Sequence, residues 1–321
     1  MRFTNEPVEK SLDEYAASIQ RALASIRSLP GVVTVFQIGG LSAPGISDID
    51  MMVIFEDDVA VHDNPLQQLD ARDDYFFVHN LFGASVSHFQ DSQASSLFHN
   101  YKQLHGQEIE IASSAINASD RCTLEVQVAI EYLVRMLINL TVDQTYGIVN
   151  VRNLLLQTHA IKYDLNFLKI ESGELFDLVQ QVIHWRKDWF QRRPENAEIE
   201  SWVRQLYQCL LTEIADLTQR RKFYLPSDGP FQMGRNITLL QGDTTSIQHR
   251  GIVLPKFLAS FVPKYARLQN RTNRFKIQIP FTCQGIPPIV SQVNEQNCKI
   301  REYNQSNLPH FMAPSSSLAL K

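Results

Sequence analysis

The chain has 321 residues, of which 44% are hydrophobic and 20% charged, and its formal net charge is −4. This length suits about two domains, and the composition excludes a fibrous or wholly disordered chain. No run of about 18 apolar residues predicts a membrane span, and the N-terminal residues lack the apolar segment of a secretory signal. The four cysteines are scattered and form no C-x-x-C pair, which argues against a zinc knuckle or redox motif. We therefore expect a cytoplasmic protein.

The first third of the chain predicts a helix followed by strands. Ser11 and Glu14 have the spacing of a helix-capping box, and Pro30-Gly31 is expected to end that helix. The runs "GVVTVFQIGG" and "DIDMMVIF" predict two buried strands. A further strand is expected in "DYFFVHNLF", and the alternation in 107–113 ("QEIEIAS") predicts another.

Residues 120–222 predict an α-helical bundle. Thr141 and Gln144 form a second capping-box spacing, which we expect to open a helix, and a helical hairpin is predicted at roughly 173–192 and 196–222. Trp185 and Trp189 are four residues apart, so we expect them to face the core although basic residues surround them.

Together these elements predict an α+β protein with a small mixed-sheet core. The predicted domains are an α/β domain at 1–115, a helical bundle at 116–225, and a less regular, basic C-terminal region at 226–321. Within the last region "NITLL" predicts a strand, and the residues from about 304 onward predict a poorly ordered tail.

Two carboxylates stand at the start of the second predicted strand. Because residues i and i+2 of a strand share a face, Asp48 and Asp50 lie side by side while Ile49 and Met51 face the core. Two adjacent carboxylates do not both stay ionised at low cost without a cation. Oxygen ligands in this arrangement suit Mg²⁺, which pairs with substrate phosphates.

The loop before these carboxylates has features of a phosphate site. Gly39-Gly40 follows a strand directly, so the backbone amides there can approach phosphate oxygens closely. Ser42 and Ser47 add hydroxyl donors in the same loop.

The order strand, Gly-Gly, loop, Ser-Asp-x-Asp and apolar strand resembles the nucleotidyltransferase superfamily over roughly residues 30–112. The resemblance implies a small mixed α/β core that transfers a nucleoside monophosphate from a nucleoside triphosphate (NTP) to a hydroxyl group. It also implies two Mg²⁺ ions held by three carboxylates. By position, Gly39 and Gly40 match the phosphate-contacting pair, and Asp48 and Asp50 match the paired metal ligands.

The family's third carboxylate lies on a later strand between apolar residues. Glu110 fits that setting between Ile109 and Ile111, and Glu108 is the same-face alternative. A catalytic α/β domain followed by helices is closest in layout to the small-molecule and aminoglycoside nucleotidyltransferases. The expected partners are therefore an NTP and a small hydroxyl-bearing acceptor.

The helical region supplies further candidates. Arg152, His159 and Lys162 are spaced to share one helix face. That face is either an ordinary solvated one or, through Arg152 or Lys162, a contact for the triphosphate. Tyr163 is a candidate to stack on the base.

The charge distribution leaves open a second class of acceptor for the nucleotidyl group, namely RNA. Residues 1–110 hold 16 Asp or Glu against 6 Lys or Arg, while 220–276 hold 11 Lys or Arg against 2 acidic residues. Either the two parts attract each other, or the basic segment binds RNA in a template-independent RNA-end nucleotidyltransferase.

Four other interpretations remain. Asp-x-Asp also occurs in nucleotide-sugar glycosyltransferases, although there the long apolar strand precedes the motif. Asp48 and Asp50 could be ordinary residues at the start of a strand, or the chain could bind nucleotide or a protein without catalysis. Transfer of AMP to a protein is the fourth.

Overall fold

The computed structural model describes residues 1–98, 100–110, 116–226, 229–255, 257–258 and 265–314. They form a mixed α+β protein in two units instead of three consecutive domains. The first, here called the α/β unit, contains Val8–Arg121 and the described residues from Ser291 onward. The second, the helix-rich unit, contains Met1–Pro7 and Cys122–Val290.

The α/β unit is built on a four-stranded mixed sheet with the strand order β4-β3-β2-β5. Strand β2 is antiparallel to both β3 and β5, whereas β3 and β4 are parallel. The small mixed sheet predicted from the sequence is therefore present. Its elements are α1 (Leu12–Ile26), β2 (Val32–Ile38), β3 (Asp50–Phe55), a 3₁₀ turn (Pro65–Gln68), β4 (Phe82–Ser85), α2 (Val86–Gln93), β5 (Tyr101–Gly106) and most of α8 (Pro288–Asn307).

The two faces of this sheet pack against different partners. Helix α1 begins at Ser11 with the predicted capping box, since Ser11 Oγ accepts from the Glu14 amide and Glu14 accepts from the Ser11 amide. Met51 and Val53 of β3 pack in the same apolar cluster as α1. Met52 and Ile54 face the other way, toward Phe89 of α2. Asp50 therefore shares the α2 face of the sheet.

The C-terminal residues complete the α/β unit. Phe311 is buried and packs edge-on against Phe55, with ring centroids 5.1 Å apart. Asn304 Nδ2 donates to the Gly83 carbonyl at 2.9 Å. The expected disordered tail is wrong for residues 304–314, while residues 315–321 lie outside the described part of the chain.

The helix-rich unit contains the predicted bundle. Trp185 and Trp189 are buried as expected, and α5 and α6 form the predicted hairpin. The break predicted at Thr141 is wrong, because α3 continues through it and Thr141 Oγ1 donates to the Leu137 carbonyl. The helices are α3 (Ala118–Tyr146), α4 (Val151–Leu168), α5 (Glu174–Asp188), α6 (Asn196–Arg220) and α7 (Tyr265–Thr272).

The same unit carries two sheets, so residues 226–290 are more regular than predicted. A four-stranded sheet has the order β7-β8-β10-β9, and "NITLL" contributes its β8 strand as expected. A short parallel pair joins β1 and β6. The strands are β1 (Arg2–Thr4), β6 (Ile148–Asn150), β7 (Phe231–Met233), β8 (Ile237–Gln241), β9 (Ser246–Gly251) and β10 (Asn273–Ile279).

Across the described ranges, no helix combines the length and apolar character needed to cross a membrane.

Candidate functional site

The loop between β2 and β3 is held to the body of the α/β unit by two tyrosines. Tyr15 Oη donates to the Ser47 carbonyl at 2.6 Å and accepts from the Gly45 amide at 3.0 Å. Tyr75 Oη donates to the Gly45 carbonyl. Since both phenols are bonded to loop backbone, the loop has a defined conformation in front of the strand that carries Asp50.

Asp48 and Asp50 meet as the strand alternation predicted, and a histidine joins them. Ligand atoms of Asp48, Asp50 and His79 all lie within 4.8 Å of one another. The amide of Ile49 donates to the Phe76 carbonyl at 2.8 Å, which brings the start of β3 beside the segment that contains His79. All three side chains are half-buried, so the cluster is open to solvent on one side.

The orientation of His79 is set by its neighbours. Its Nδ1 lies 2.7 Å from the Asn80 carbonyl, so Nδ1 carries a proton and donates it. Its Nε2 lies 2.8 Å from Asp50 Oδ1. That Oδ1 atom is shielded from solvent, and among the described residues no donor gives it a hydrogen bond of normal geometry. With Nδ1 carrying one proton, the contact between His79 and Asp50 is an ion pair when Nε2 is protonated as well.

The acidic surroundings also set the protonation of His79. Burial on its own would lower the pKa of the imidazole. The contact with Asp50, the Asn80 carbonyl, and the charges of Asp50 and Asp48 outweigh burial, so the pKa of His79 is raised above its ordinary value. An imidazolium at this position partly neutralises the two carboxylates.

The donor set fits a divalent cation. Two carboxylates and one imidazole offer oxygen and nitrogen ligands within bonding reach of one ion. The Asn80 carbonyl fixes the proton on Nδ1, which leaves Nε2 as the ligand atom, and such partners are the usual orienting groups of metal-bound histidine. Mg²⁺ prefers oxygen ligands and would rely on Asp48 and Asp50, whereas Mn²⁺ or Zn²⁺ would also accept His79.

The glycine pair stands open at the end of β2. Gly39 has φ +71°, a conformation that favours glycine, and both glycines are exposed. A Cβ at either position would have no atom within 4 Å in the described chain. The Gly39 amide already donates to the Asn100 carbonyl at 3.3 Å, so the backbone left for a ligand is that of Gly40. The pair lies near the Asp48, Asp50 and His79 cluster, because Ile38 pairs with Asp50 across the strands.

The two loop serines differ in environment. Ser47 is buried, and its Oγ accepts from the Ala43 amide at 3.2 Å. Its hydroxyl therefore stabilises the loop and does not face a ligand. Ser42 is exposed and remains a candidate donor.

The structure does not bring the predicted third carboxylate into the cluster. The strand predicted over 107–113 lies earlier, at Tyr101–Gly106, and residues 107–110 follow it as irregular chain. Glu108 and Glu110 are both exposed, and residues 111–113 lie outside the described part. Within the described ranges, His79 occupies the third position.

The candidate triphosphate contacts on α4 belong to the helix-rich unit. Arg152 is buried there, so its guanidinium does not form part of an exposed helix face. Lys162 Nζ lies 3.0 Å from His159 Nε2 and 4.7 Å from the centroid of the Tyr163 ring. Burial lowers the pKa of His159 to about 4, with help from the charges of Arg186 and Lys162. His159 is thus neutral and accepts from Lys162.

Several basic residues of segment 220–276 have partners within the unit. Arg274 Nη1 donates to the carbonyls of Asn270, Arg271 and Asn273 at the end of α7. Arg221 donates to the Leu168 carbonyl at 3.1 Å, and Arg220 pairs with Asp216 at 3.2 Å. Binding of RNA to this segment stays a prediction.

His79 is the site residue that sequence reasoning missed. In the sequence it has no histidine or cysteine partner at metal-ligand spacing. The available signal was indirect. Two carboxylates leave a cation in need of at least one more protein ligand, but the sequence does not say which residue supplies it.

Comparison with known protein families, with curated proteins and with solved structures found no match to the chain.

Proposed function

We propose that the protein is a divalent-cation-dependent nucleotidyltransferase that moves a nucleoside monophosphate from an NTP to the hydroxyl of a small molecule. One observation carries the proposal. Ligand atoms of Asp48, Asp50 and His79 lie within 4.8 Å of one another, and Asp50 begins the strand that pairs with the end of β2, beside the exposed glycine pair. A cation cluster beside an accessible glycine turn is an arrangement suited to a bound triphosphate.

Each part of the site has a separate role. Gly40 presents its backbone to the phosphates, with Ser42 as an additional donor, while Gly39 forms the turn and donates its own amide to the Asn100 carbonyl. Asp48 and Asp50 hold the cation and His79 completes its ligands. A bound divalent cation would neutralise the triphosphate and stabilise charge on the leaving pyrophosphate. The tyrosine-held loop keeps these groups in position, which matters because phosphoryl transfer depends mainly on positioning and electrostatics.

A second candidate is a nucleotide-binding protein that does not catalyse transfer. The observation that favours it is the exposed position of Glu108 and Glu110, which leaves the cluster with two carboxylates and an imidazole in the described chain. Such a protein would bind an NTP and a cation without releasing pyrophosphate.

Pyrophosphate release tests the two candidates. Each NTP is incubated with pooled small hydroxyl compounds or with total tRNA, with Mg²⁺, with Mn²⁺ and with neither. Asp48→Asn combined with Asp50→Asn is compared with Asp58→Asn combined with Asp63→Asn, which removes the same charge from exposed positions.

Cation-dependent release that is lost in the first double variant and retained in the second is the expected result. Nucleotide binding without release, unchanged by the first double variant, would overturn the transferase. Release with tRNA alone would move the acceptor from a small molecule to RNA, and binding that weakens steeply with salt would accompany it.

A further inference from the structure

A cavity of about 240 Å³ adjoins Asp50 inside the α/β unit. Its floor is the α2 face of the sheet, one wall is the end of α2 with the residues after it, and the other is α8. Phe98 lines the cavity although its side chain is 41% exposed, so the cavity reaches the surface beside this ring. The lining residues that the argument uses are Asp50, Phe82, Ser92, Gln93, Phe98 and Tyr101.

The size and charge of the cavity limit what it can hold. An apolar cavity of roughly 150 Å³ accommodates benzene, so this one has room for a larger ring. Among the described residues that line it, Asp50 is the one charged residue. Without basic side chains the cavity does not suit a triphosphate. A single carboxylate, shared with the cation cluster, does not suit a polyamine or a polycationic aminoglycoside.

Gln93 is the feature that points to a ligand. Its side chain is 2% exposed, and its Nε2 donates to Tyr101 Oη at 3.1 Å. Its Oε1 has no hydrogen-bond partner among the described residues. A buried unpaired amide oxygen costs stability, and exchange of the amide oxygen and nitrogen would leave the nitrogen unpaired in its place.

Gln93 and Tyr101 together offer a paired recognition edge. The amide oxygen of Gln93 can accept a hydrogen bond, and the Tyr101 hydroxyl, which accepts from Gln93, keeps its own proton to donate. The hydrogen-bond acceptor of Gln93 and the donor of Tyr101 together complement a ligand ring that carries one donor and one acceptor on the same edge. The aromatic rings of Phe82 and Phe98 add apolar surface for the faces of such a ring.

We propose that this cavity binds an uncharged, planar ring, one or two rings in size, that has a hydrogen-bond donor and acceptor on adjacent atoms. Two sources share this chemistry, the base of the nucleotide and a ring-bearing hydroxyl acceptor. The role of the ring in the reaction rests on the proposed nucleotidyl transfer, whereas its binding does not.

Two substitutions test the cavity, and the melting temperature of each variant reports whether it is folded. Gln93→Met keeps the side-chain length and removes the paired edge. We expect about tenfold weaker binding and a melting temperature no lower than that of the wild type, because the substitution removes the unpaired Oε1 together with the Nε2 hydrogen bond to Tyr101. Ser92→Phe fills the cavity from α2, and Gln90→Phe, at an exposed position of the same helix, is its matched control.

The probes separate the two sources. Binding to the full chain is measured by nuclear magnetic resonance (NMR) titration in the absence of divalent cation, with the four nucleosides, 2-quinolone, N-methyl-2-quinolone and spermine. Nucleoside binding that Gln93→Met and Ser92→Phe weaken, and Gln90→Phe does not, assigns the cavity to the base. The same pattern with 2-quinolone alone assigns it to an acceptor.

Three results would overturn the proposal. They are equal affinity for 2-quinolone and its N-methyl derivative, preferential binding of spermine, and no binding of any ring. If the proposed nucleotidyl transfer is wrong but the cavity proposal is right, ring binding would persist while pyrophosphate release is absent. Release that persists unchanged in Ser92→Phe, with no ring binding, would reject the cavity and keep the transferase.

Discussion

We expect His79 to determine which cation the cluster of Asp48, Asp50 and His79 prefers. Asp48 and Asp50 offer the oxygen ligands that Mg²⁺ needs, but the imidazole adds a nitrogen that Mn²⁺ binds more readily. We expect wild-type protein to bind Mn²⁺ more tightly than Mg²⁺. His79→Gln should weaken Mn²⁺ binding by about tenfold or more and change Mg²⁺ binding far less, as measured by electron paramagnetic resonance and calorimetric titration.

The control for this prediction is His184→Gln. His184 also stands beside a carboxylate, with Nε2 3.6 Å from Asp188 Oδ2, but it is exposed on α5 and outside the cluster. Equal losses of Mn²⁺ affinity in the two variants would show that His79 is not a ligand.

At the residue scale, the sequence predicted the positions of site residues where the two-residue alternation of a strand relates them. Asp48 and Asp50 were placed together correctly, because side chains two apart in extended chain share a face, although Asp48 lies just before β3. His79 follows Asp50 by 29 residues across a turn-rich segment, and no local period relates the two. Contacts of that kind depend on how the chain returns to the sheet, which one sequence does not reveal.

The end of β5 depends on a single glycine. Gly106 has φ +91°, and a Cβ there would lie 2.1 Å from the Val33 carbonyl oxygen. Gly106→Ala therefore combines an unfavourable backbone conformation with a clash against β2. We expect the free energy of unfolding to fall by about 2–4 kcal/mol, measured by urea denaturation.

Gly40→Ala is the matched glycine variant. Its Cβ would meet nothing within 4 Å, so the free energy of unfolding should change by less than about 0.5 kcal/mol. A loss as large as that of Gly106→Ala would contradict this account of the loop. If the backbone at Gly40 contacts phosphate, nucleotide affinity falls in this variant although stability is preserved.

Helix α4 carries a buried carboxyl that makes stability depend on pH. Burial raises the pKa of Asp164 to about 8. The folded chain keeps this proton up to about pH 8, whereas the unfolded chain releases it near pH 4. Between those values the unfolded state binds fewer protons, so the free energy of unfolding falls as pH rises.

Asp164→Asn should remove this contribution. The stability of the variant relative to the wild type is expected to increase from pH 5 to pH 8, by at most about 1.4 kcal/mol per pH unit. Urea denaturation at four pH values measures it, with Asp177→Asn at an exposed position of α5 as the control. Parallel pH profiles for wild type and Asp164→Asn would rule out a buried, protonated carboxyl.

At the element scale, prediction succeeded for strongly periodic segments and failed at their ends. Helix α1 and the α5–α6 pair follow from apolar spacing and from capping or turn residues. Thr141 had capping-box spacing but bonds back to Leu137 inside a longer helix, which Gly147, with φ +64°, follows directly. The strand predicted at 107–113 is wrong for 107–110, which follow β5 as irregular chain, while 111–113 lie outside the described residues.

The α/β unit is discontinuous in sequence, and this is the main feature of the whole molecule that the sequence did not indicate. Residues 291–314 supply buried side chains such as Leu308 and Phe311 to its core. We expect a chain ending at residue 290 to lose Mn²⁺ binding and to become protease-sensitive within 8–121. Limited proteolysis with mass spectrometry locates the cleavage sites.

A chain ending at Pro314 is the control, since it keeps all described residues of the unit. It should match the full chain in both cation binding and protease resistance. Intact cation binding in the chain ending at residue 290 would show that the sheet and its loop are stable without α8.

Because the α/β unit combines residues 8–121 with residues from 291 onward, it cannot be completed until most of the chain has been synthesised. Translation produces the sheet and the carboxylates early, but Phe311 leaves the ribosome only after about 190 more residues, the distance from Arg121 to Phe311. At roughly 5–20 residues per second, this interval lasts on the order of 10–40 s. During that time the face of β3 and β4 that Phe311 covers stays exposed on the nascent chain. We therefore expect this face to be a contact for ribosome-associated chaperones, and premature termination to yield no partly active product.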